Sequence, residues 1–359
     1  GTFETRTVFD RKDGTSFAAY LRIRPTKHKG EQIGYCGITE PLPDVDVQEA
    51  MPPISILTRI LAWLVITRAP FLTATIVPIL VAAAWVAAMA EGAFAWPLFA
   101  LAMIGGCALH VAANTFNDYF DWKSGTDEAN TEYFQAFSGG SRAMELRLIT
   151  PQGMFRLGLV STLIALAVGA ALVILVSPHI LWFGVAGLFS AYFYTAPPLR
   201  LVARKGLGEL LIGLNFGPLM VAGTVFALTG SVTWLDFAIG LPVGLLTTAI
   251  LWINQFPDAR SDAETGKNHL VVVLGKDTAR WGYALIVATS FLIVVAGVTA
   301  GLLPTGTLLF LLGLPLAAYA THVLFRHFRD RRLVKACVAT IQLHFVAGMA
   351  MAAGLIFFP

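Results

Sequence analysis

The 359 residues are 56% hydrophobic and only 13% charged, with a mean hydropathy of +0.70. These values exclude an ordinary soluble domain and indicate a polytopic membrane protein. A net charge of +3, with basic residues dispersed rather than gathered in a stripe, argues against a nucleic-acid partner.

The chain opens on Gly1 and shows no cleavable signal peptide, so its first residue is not expected to be the native start. Residues 1–42 are polar and rich in β-formers, with turn signals at RKDG (11–14) and KHKGE (27–31). ETRTVF, SFAAYLRIRP and QIGYCGITE predict an antiparallel three-stranded meander with one half-buried face. The string RKDGTSF…LRIRPTK…GEQIGYCGITE resembles the last three strands of a PAS sensor domain. The helices and strands that close a PAS ligand pocket would lie upstream, so this segment is expected to sense nothing by itself. Residues 43–53 are proline-rich and acidic, as in a linker. Cys36, Cys107 and Cys337 form no C-x-x-C pair or metal-ligand spacing, and all three are expected to be buried thiols.

The membrane region runs over 54–359. ISILTRILAWLVIT (54–67) predicts an interfacial helix or the first turns of a span. At about 20 residues per span, the apolar runs give nine: near 69–90, 95–119, 152–176, 179–196, 207–229, 234–257, 279–301, 303–324 and 335–357. Basic residues beyond residue 53 fall on alternate connections: Arg59 and Arg68, Lys123 to Arg156, Arg200 to Lys205, Arg260 to Arg280, and Arg326 to Lys335. The positive-inside rule therefore places these loops and the N-terminus in the cytoplasm and Pro359 outside. The two halves are loosely alike, each ending an even-numbered span in an Asn and two Asp, and an internal repeat is compatible with this.

Those two clusters carry the chemistry. In NTFNDYFD, Asn114, Asp118 and Asp121 stand at i, i+4 and i+7; in NQFPDARSD, Asn254, Asp258 and Asp262 stand at i, i+4 and i+8. Each set lines one helical face. Carboxylates in a span are costly, about 2.5–3.5 kcal/mol each at the bilayer centre, so two matched clusters beside glycine-containing basic loops call for a function. Hard cations such as Mg²⁺ take carboxylate and amide oxygens and keep phosphate oxygens as further ligands. Two opposed carboxylate faces would thus hold Mg²⁺ and a diphosphate between them.

The stretches RAPFLTATIVPILVAAAW, ANTFNDYFDWKSGTDEANTE, SGGSRAM, ITPQG, YTAPPLRLVARKGLGELLIGLNFGPLMVAGT and NQFPDARSDAETGKNHLVVVLG resemble the UbiA superfamily of membrane prenyltransferases, in the family's order. The resemblance implies an all-α bundle of about nine spans around a cavity open to the cytoplasm and laterally to lipid. It also implies Mg²⁺ as cofactor, with Asp118, Asp121, Asp258 and Asp262 as metal-binding and catalytic carboxylates. Asn114, Asn117 and Asn254 are then expected to bind diphosphate, with Lys123, Arg142, Arg200 and Lys267 supplying positive charge. Tyr194 of YTAPP falls where the family usually has a cavity-facing tyrosine, and a role in catalysis stands beside a core or interface role. His110 is expected to be a packed, hydrogen-bonded residue. His269 departs from the small residue the family commonly has after Gly-Lys, which leaves the contacts of that loop open.

The pattern N-x-x-N-D-x-x-D-x-x-x-G-x-D, from Asn114 to Asp127, is similar to the menaquinone branch, which transfers a polyprenyl chain from its diphosphate to 1,4-dihydroxy-2-naphthoate. Other acceptors stay open: 4-hydroxybenzoate, homogentisate, a tetrapyrrole or a glycerol ether lipid. So does another class, ion-coupled transport, which would place ionisable groups near the bilayer midplane on broken helices. The partners expected are a polyprenyl diphosphate, an aromatic acceptor and the lipid bilayer, in an inner or cytoplasmic membrane.

Overall fold

The computed structural model describes residues 2–10, 15–28, 31–50, 55–89, 94–130, 132–134 and 137–358. The turn predicted at 11–14, part of that at 27–31, part of the linker, part of the 90–95 connection and Pro359 lie outside them. Contacts divide the chain into two units, Gly1–Leu61 and Ala62–Pro359.

In the first unit β1 (Phe3–Asp10), β2 (Ser16–His28) and β3 (Glu31–Pro41) form an antiparallel sheet in the order β1-β2-β3. Phe3 pairs with Ile23, and Ala19 with Pro41. Ala18 and Ala19 are both buried although neighbours on a strand face opposite sides of the sheet, and Phe3, Tyr35 and Ile38 are exposed, so the meander forms in the predicted order without the one-faced burial expected of it. Cys36 is exposed on β3, contrary to the burial expected of it.

The second unit is helical. Its main helices are α1 (Thr73–Met89), α2 (Trp96–Lys123), α3 (Pro151–Leu175), α4 (Ile180–Phe193), α5 (Leu207–Thr229), α6 (Leu241–Glu264), α7 (Lys276–Thr299), α8 (Thr305–His327) and α9 (Val334–Phe357). Among the described residues eight segments are long and apolar enough to cross a membrane. The remaining predicted span, 179–196, corresponds to α4, which has only 14 residues. At 1.5 Å per residue that is about 21 Å, short of a hydrocarbon core of about 30 Å. The chain nevertheless returns through it. After α4, Lys205 donates its backbone N–H to Asn268 at 3.0 Å, and Lys267 reaches Asp121 at the C-terminal end of α2. Loops following α2, α4 and α6 therefore share one end of the bundle. Gly306 bonding Phe358 marks the other end.

Helices α1, α6, α7, α8 and α9 pack into a continuous apolar core around Val243, Ile253, Tyr283, Phe310, Leu343 and Met351. Helices α2 to α6 instead surround a cavity. One close crossing fixes that wall. A Cβ on Gly217 would stand 2.6 Å from the Gly240 carbonyl, and one on Gly244 would stand 2.4 Å from the Gly213 carbonyl. The two small-x-x-x-small stretches thus let α5 and α6 approach backbone to backbone. Beside this crossing α5 takes a π-helical turn at Asn215–Leu219, a feature frequent near functional sites.

Candidate active site

The cavity, about 650 Å³, reaches the loop-rich end of the bundle, where Thr126, Asn130, Gly139 and Lys267 line it. Its polar wall includes Asn114, Asn117 and Asp121 of α2 and Asn254, Asp258 and Asp262 of α6. Two helices separated by more than a hundred residues present their carboxylates to one space. Lys267 stands between them, with its Nζ 2.9 Å from Asp121 and 4.0 Å from Asp262. Burial lowers its affinity for a proton, but Asp121 and Asp262 outweigh this, and the ammonium titrates above its ordinary range.

Asp118 stands just behind this wall. It is 1% exposed, accepts the Ser141 backbone N–H at 3.3 Å, and lies 3.5 Å from Arg68. Arg68 lines the cavity and also donates to Asn117 at 3.4 Å. In the sequence this arginine served only as a topology marker; nothing in its spacing singled it out.

The loop after α2 holds the two motifs together. Asn130 Nδ2 donates to Asp258 at 2.7 Å, and the Gly139 N–H donates to its other oxygen at 2.9 Å. Two residues on, Ser141 reaches Asp118. Gly139 and Gly140 have φ of 70° and 72°, a region that glycine enters without a steric penalty. A Cβ on Gly140 would also lie 3.0 Å from Asp118 Oδ1.

Asp127 of the same loop is a fifth cavity carboxylate. Burial, then Asp121 and Asp118, push its pKa up to about 9. It was visible in the extended first motif but had been given no role. His269, whose departure from the family pattern left its loop open, is fully buried. Its Nδ1 accepts the Val272 N–H at 3.3 Å, so its Nε2 is the nitrogen that donates to Asp262 at 3.0 Å. This fixes the orientation of the carboxylate.

Three predicted cations are not in the wall. Arg142 stacks on Tyr133, with its guanidinium carbon 4.1 Å from the ring centroid, and donates to the carbonyls of Asp127 and Asn130 and to Glu145. Its two terminal nitrogens shape the loop, and its Nε is buried without a partner. Lys123 is exposed beside Tyr119, and Arg200 sits at the left-handed turn after α4. Tyr194 does line the cavity, and its hydroxyl is buried without a partner. His110 bonds Thr75 at 2.7 Å and meets Phe216 edge-on, as expected of a packed histidine.

Among the described residues, no three His, Cys, Asp or Glu side chains converge closely enough to cage a metal. The donors present, carboxylate and amide oxygens of Asn114, Asp121, Asn254, Asp258 and Asp262, are of the hard kind that Mg²⁺ takes, completing its shell with water and substrate phosphate. Among them the Asn254 Oδ1 is buried without a partner. Away from this end the cavity becomes apolar, walled by Leu101, Leu109, Leu166, Phe183 and Leu188.

A helical membrane bundle with a carboxylate-walled head and an apolar tail defines an enzyme acting on an amphiphile with a charged end. The chain belongs to the UbiA prenyltransferase family, whose model matches residues 75–350, and it is a prenyltransferase. It is 30% identical over 295 residues to the 2-carboxy-1,4-naphthoquinone phytyltransferase of Synechocystis, covering 81% of this chain and 92% of that one. To the 1,4-dihydroxy-2-naphthoate octaprenyltransferase of Mycobacterium leprae it is 30% identical over 234 residues, 65% of this chain and 76% of that one. The fold matches a UbiA homolog from Archaeoglobus fulgidus, solved bound to GPP and Mg²⁺, with TM-score 0.59 and 14% identity, covering 82% of this chain and 99% of that chain.

Proposed function

We propose that the chain transfers a polyprenyl group from its diphosphate to 1,4-dihydroxy-2-naphthoate in an Mg²⁺-dependent reaction. The observation that carries this reading is the meeting of Asp121, Asp258 and Asp262 on one cavity, with Lys267 between the two motifs. The naphthalene acceptor is supported by the names of the Synechocystis and M. leprae relatives, which both specify a carboxylated naphthalene ring.

Asp118, Asp121, Asp258 and Asp262 would hold Mg²⁺, which when bound offsets the charge that builds on the departing diphosphate. Asn114, Asn117 and Asn254 offer amide groups to the same head, and Lys267 and Arg68 donate to phosphate oxygens. Arg142 holds the loop that carries Gly139 and Ser141, while Lys123 and Arg200 stand outside the cavity wall, so their part is attraction of the anion rather than contact. The allylic C–O bond breaks with its electrons leaving on the diphosphate. A new C–C bond forms to the electron-rich ring, which loses its carboxylate as CO₂. The apolar wall excludes water from the cation, and Tyr194 can face it with its π system. The carboxylate end is assigned to the cytoplasm because the basic loops gather there.

The test is incubation of purified protein with Mg²⁺, a polyprenyl diphosphate and a panel of acceptors including dihydroxynaphthoate and 4-hydroxybenzoate, with products identified by mass. A prenylated, decarboxylated naphthalene product is expected. A hydroxybenzoate adduct alone would overturn the acceptor assignment.

A further inference from the structure

Gln255 follows Asn254 in α6 and stands three residues before Asp258 and seven before Asp262, so it shares their helical face about one turn deeper in the cavity. It lines the cavity and is 5% exposed. Its Nε2 donates to Glu209 Oε1 at 3.3 Å. That same oxygen accepts the Leu270 backbone N–H at 2.8 Å, so it is an acceptor and the amide cannot be reversed against it. Glu209 therefore dictates which end of Gln255 is left over. The leftover end is Oε1, buried without any partner.

A second unpartnered group lies close by. The Tyr194 hydroxyl is likewise buried and unbonded, and its ring packs against the turn preceding Glu209: a Cβ on Gly208 would stand 3.5 Å from Tyr194 Cε2. Two further oxygens here are buried and unbonded, Asn254 Oδ1 of the second motif and Glu209 Oε2, but Glu209 does not line the cavity. Outside the motifs the wall thus presents one acceptor, Gln255 Oε1, and one hydroxyl able to donate. Neither is needed by the metal-binding motifs. Buried polar groups are normally bonded, and an orphaned pair in a cavity wall points to a ligand that satisfies both.

We propose that Gln255 and Tyr194 form the subsite for a ring hydroxyl of the aromatic acceptor, with Glu209 as the positioning residue that fixes the Gln255 amide. The phenolic O–H donates to Gln255 Oε1, and its oxygen accepts from Tyr194. This places a hydroxylated ring one turn below the diphosphate head, beside the carbon from which the leaving group departs. The assignment rests on the prenyl-transfer reading of the cavity.

The test is equilibrium binding of 1,4-dihydroxy-2-naphthoate and its 1,4-dimethoxy analogue to the full chain in detergent. Acceptor and donor KM are then measured in the wild type, Gln255→Met and Glu209→Gln. Wild type is expected to bind the diol about ten- to a hundredfold tighter than the dimethoxy analogue, the worth of one or two buried hydrogen bonds. Gln255→Met, similar in length but lacking the oxygen, should lose that preference. Its acceptor KM should rise by the same factor while the KM for polyprenyl diphosphate stays unchanged, and the thermal midpoint should fall modestly because the amide donor to Glu209 is lost as well. Glu209→Gln should lose part of it, since an amide at 209 lets Gln255 present either end. Equal affinity of wild type for diol and dimethoxy ring overturns the subsite without recourse to any variant, as does an unaltered preference in folded Gln255→Met. A wild type that selects hydroxylated rings through Gln255 yet prenylates a ring other than naphthoate refutes the acceptor and supports the subsite.

Discussion

Lys267 Nζ lies 2.9 Å from Asp121 although 146 positions separate them, and this ion pair joins the loop after α6 to the last turn of α2. Its side chain is only 12% exposed, so the carboxylates around the ammonium are its main source of compensation. Removing it would leave Asp121 and Asp262 facing each other across the cavity with no cation. Lys267→Met is predicted to lower kcat/KM for prenyl transfer by about 100-fold or more, the scale seen when a preorganised electrostatic donor is lost. Steady-state kinetics at saturating acceptor checks this. Lys123→Met, at an exposed position outside the wall, should change the rate far less.

Gly140 is constrained twice, by its φ of 72° and by the 3.0 Å approach of Asp118. Gly140→Ala should cost about 1–2 kcal/mol from the left-handed backbone alone, seen as a lower thermal midpoint, and should also weaken Mg²⁺-dependent activity. Gly169→Ala is the control: a Cβ there meets nothing within 4 Å, and stability should be unchanged or slightly higher.

The raised pKa of Asp127 gives a pH signature. A carboxyl lifted from 3.8 to about 9 contributes stability that is full below the unfolded value and is lost as pH rises through the folded one. Without Mg²⁺ the thermal midpoint should therefore fall between about pH 4 and 9 and level off above that. Mg²⁺ held by the neighbouring carboxylates favours the ionised form, so its binding should release protons and tighten with rising pH over the same window. Asp127→Asn should flatten both profiles. Thermal scans with and without Mg²⁺ across that range read both.

His269 fixes the orientation of Asp262 through Nε2. His269→Ala is predicted to weaken Mg²⁺ about 10- to 100-fold, as loss of a hydrogen bond behind a metal ligand does, with little change in acceptor KM. A magnesium titration of the rate distinguishes this from a general loss of folding.

Much of the fold was legible because hydropathy and helical period report directly on spans and faces: the order of elements, both carboxylate faces and the three-stranded meander all follow from local pattern. Helix α4 was harder, since an apolar run at 179–196 does not reveal that only 14 residues are helical. Long-range partners were invisible. Arg68 and His269 gain their places from helices and loops that converge only in three dimensions. Arg142 is a further case: the contacts of this arginine in a motif-bearing loop, to nearby carbonyls and an aromatic ring, could not be read from its spacing. Glu209 and Gln255 carried no signal beyond being polar in apolar helices, and only the unpartnered oxygen of the amide marks them.

The central claim is that two distant carboxylate clusters form one diphosphate site. It is tested most directly by Mg²⁺-dependent formation of prenylated product in membranes carrying wild type, Asp118→Ala or Asp258→Ala at equal protein level. The account predicts product with wild type and Mg²⁺, and its near-complete loss in each variant and on chelation of the metal. Prenyl transfer that persists in both variants would contradict it.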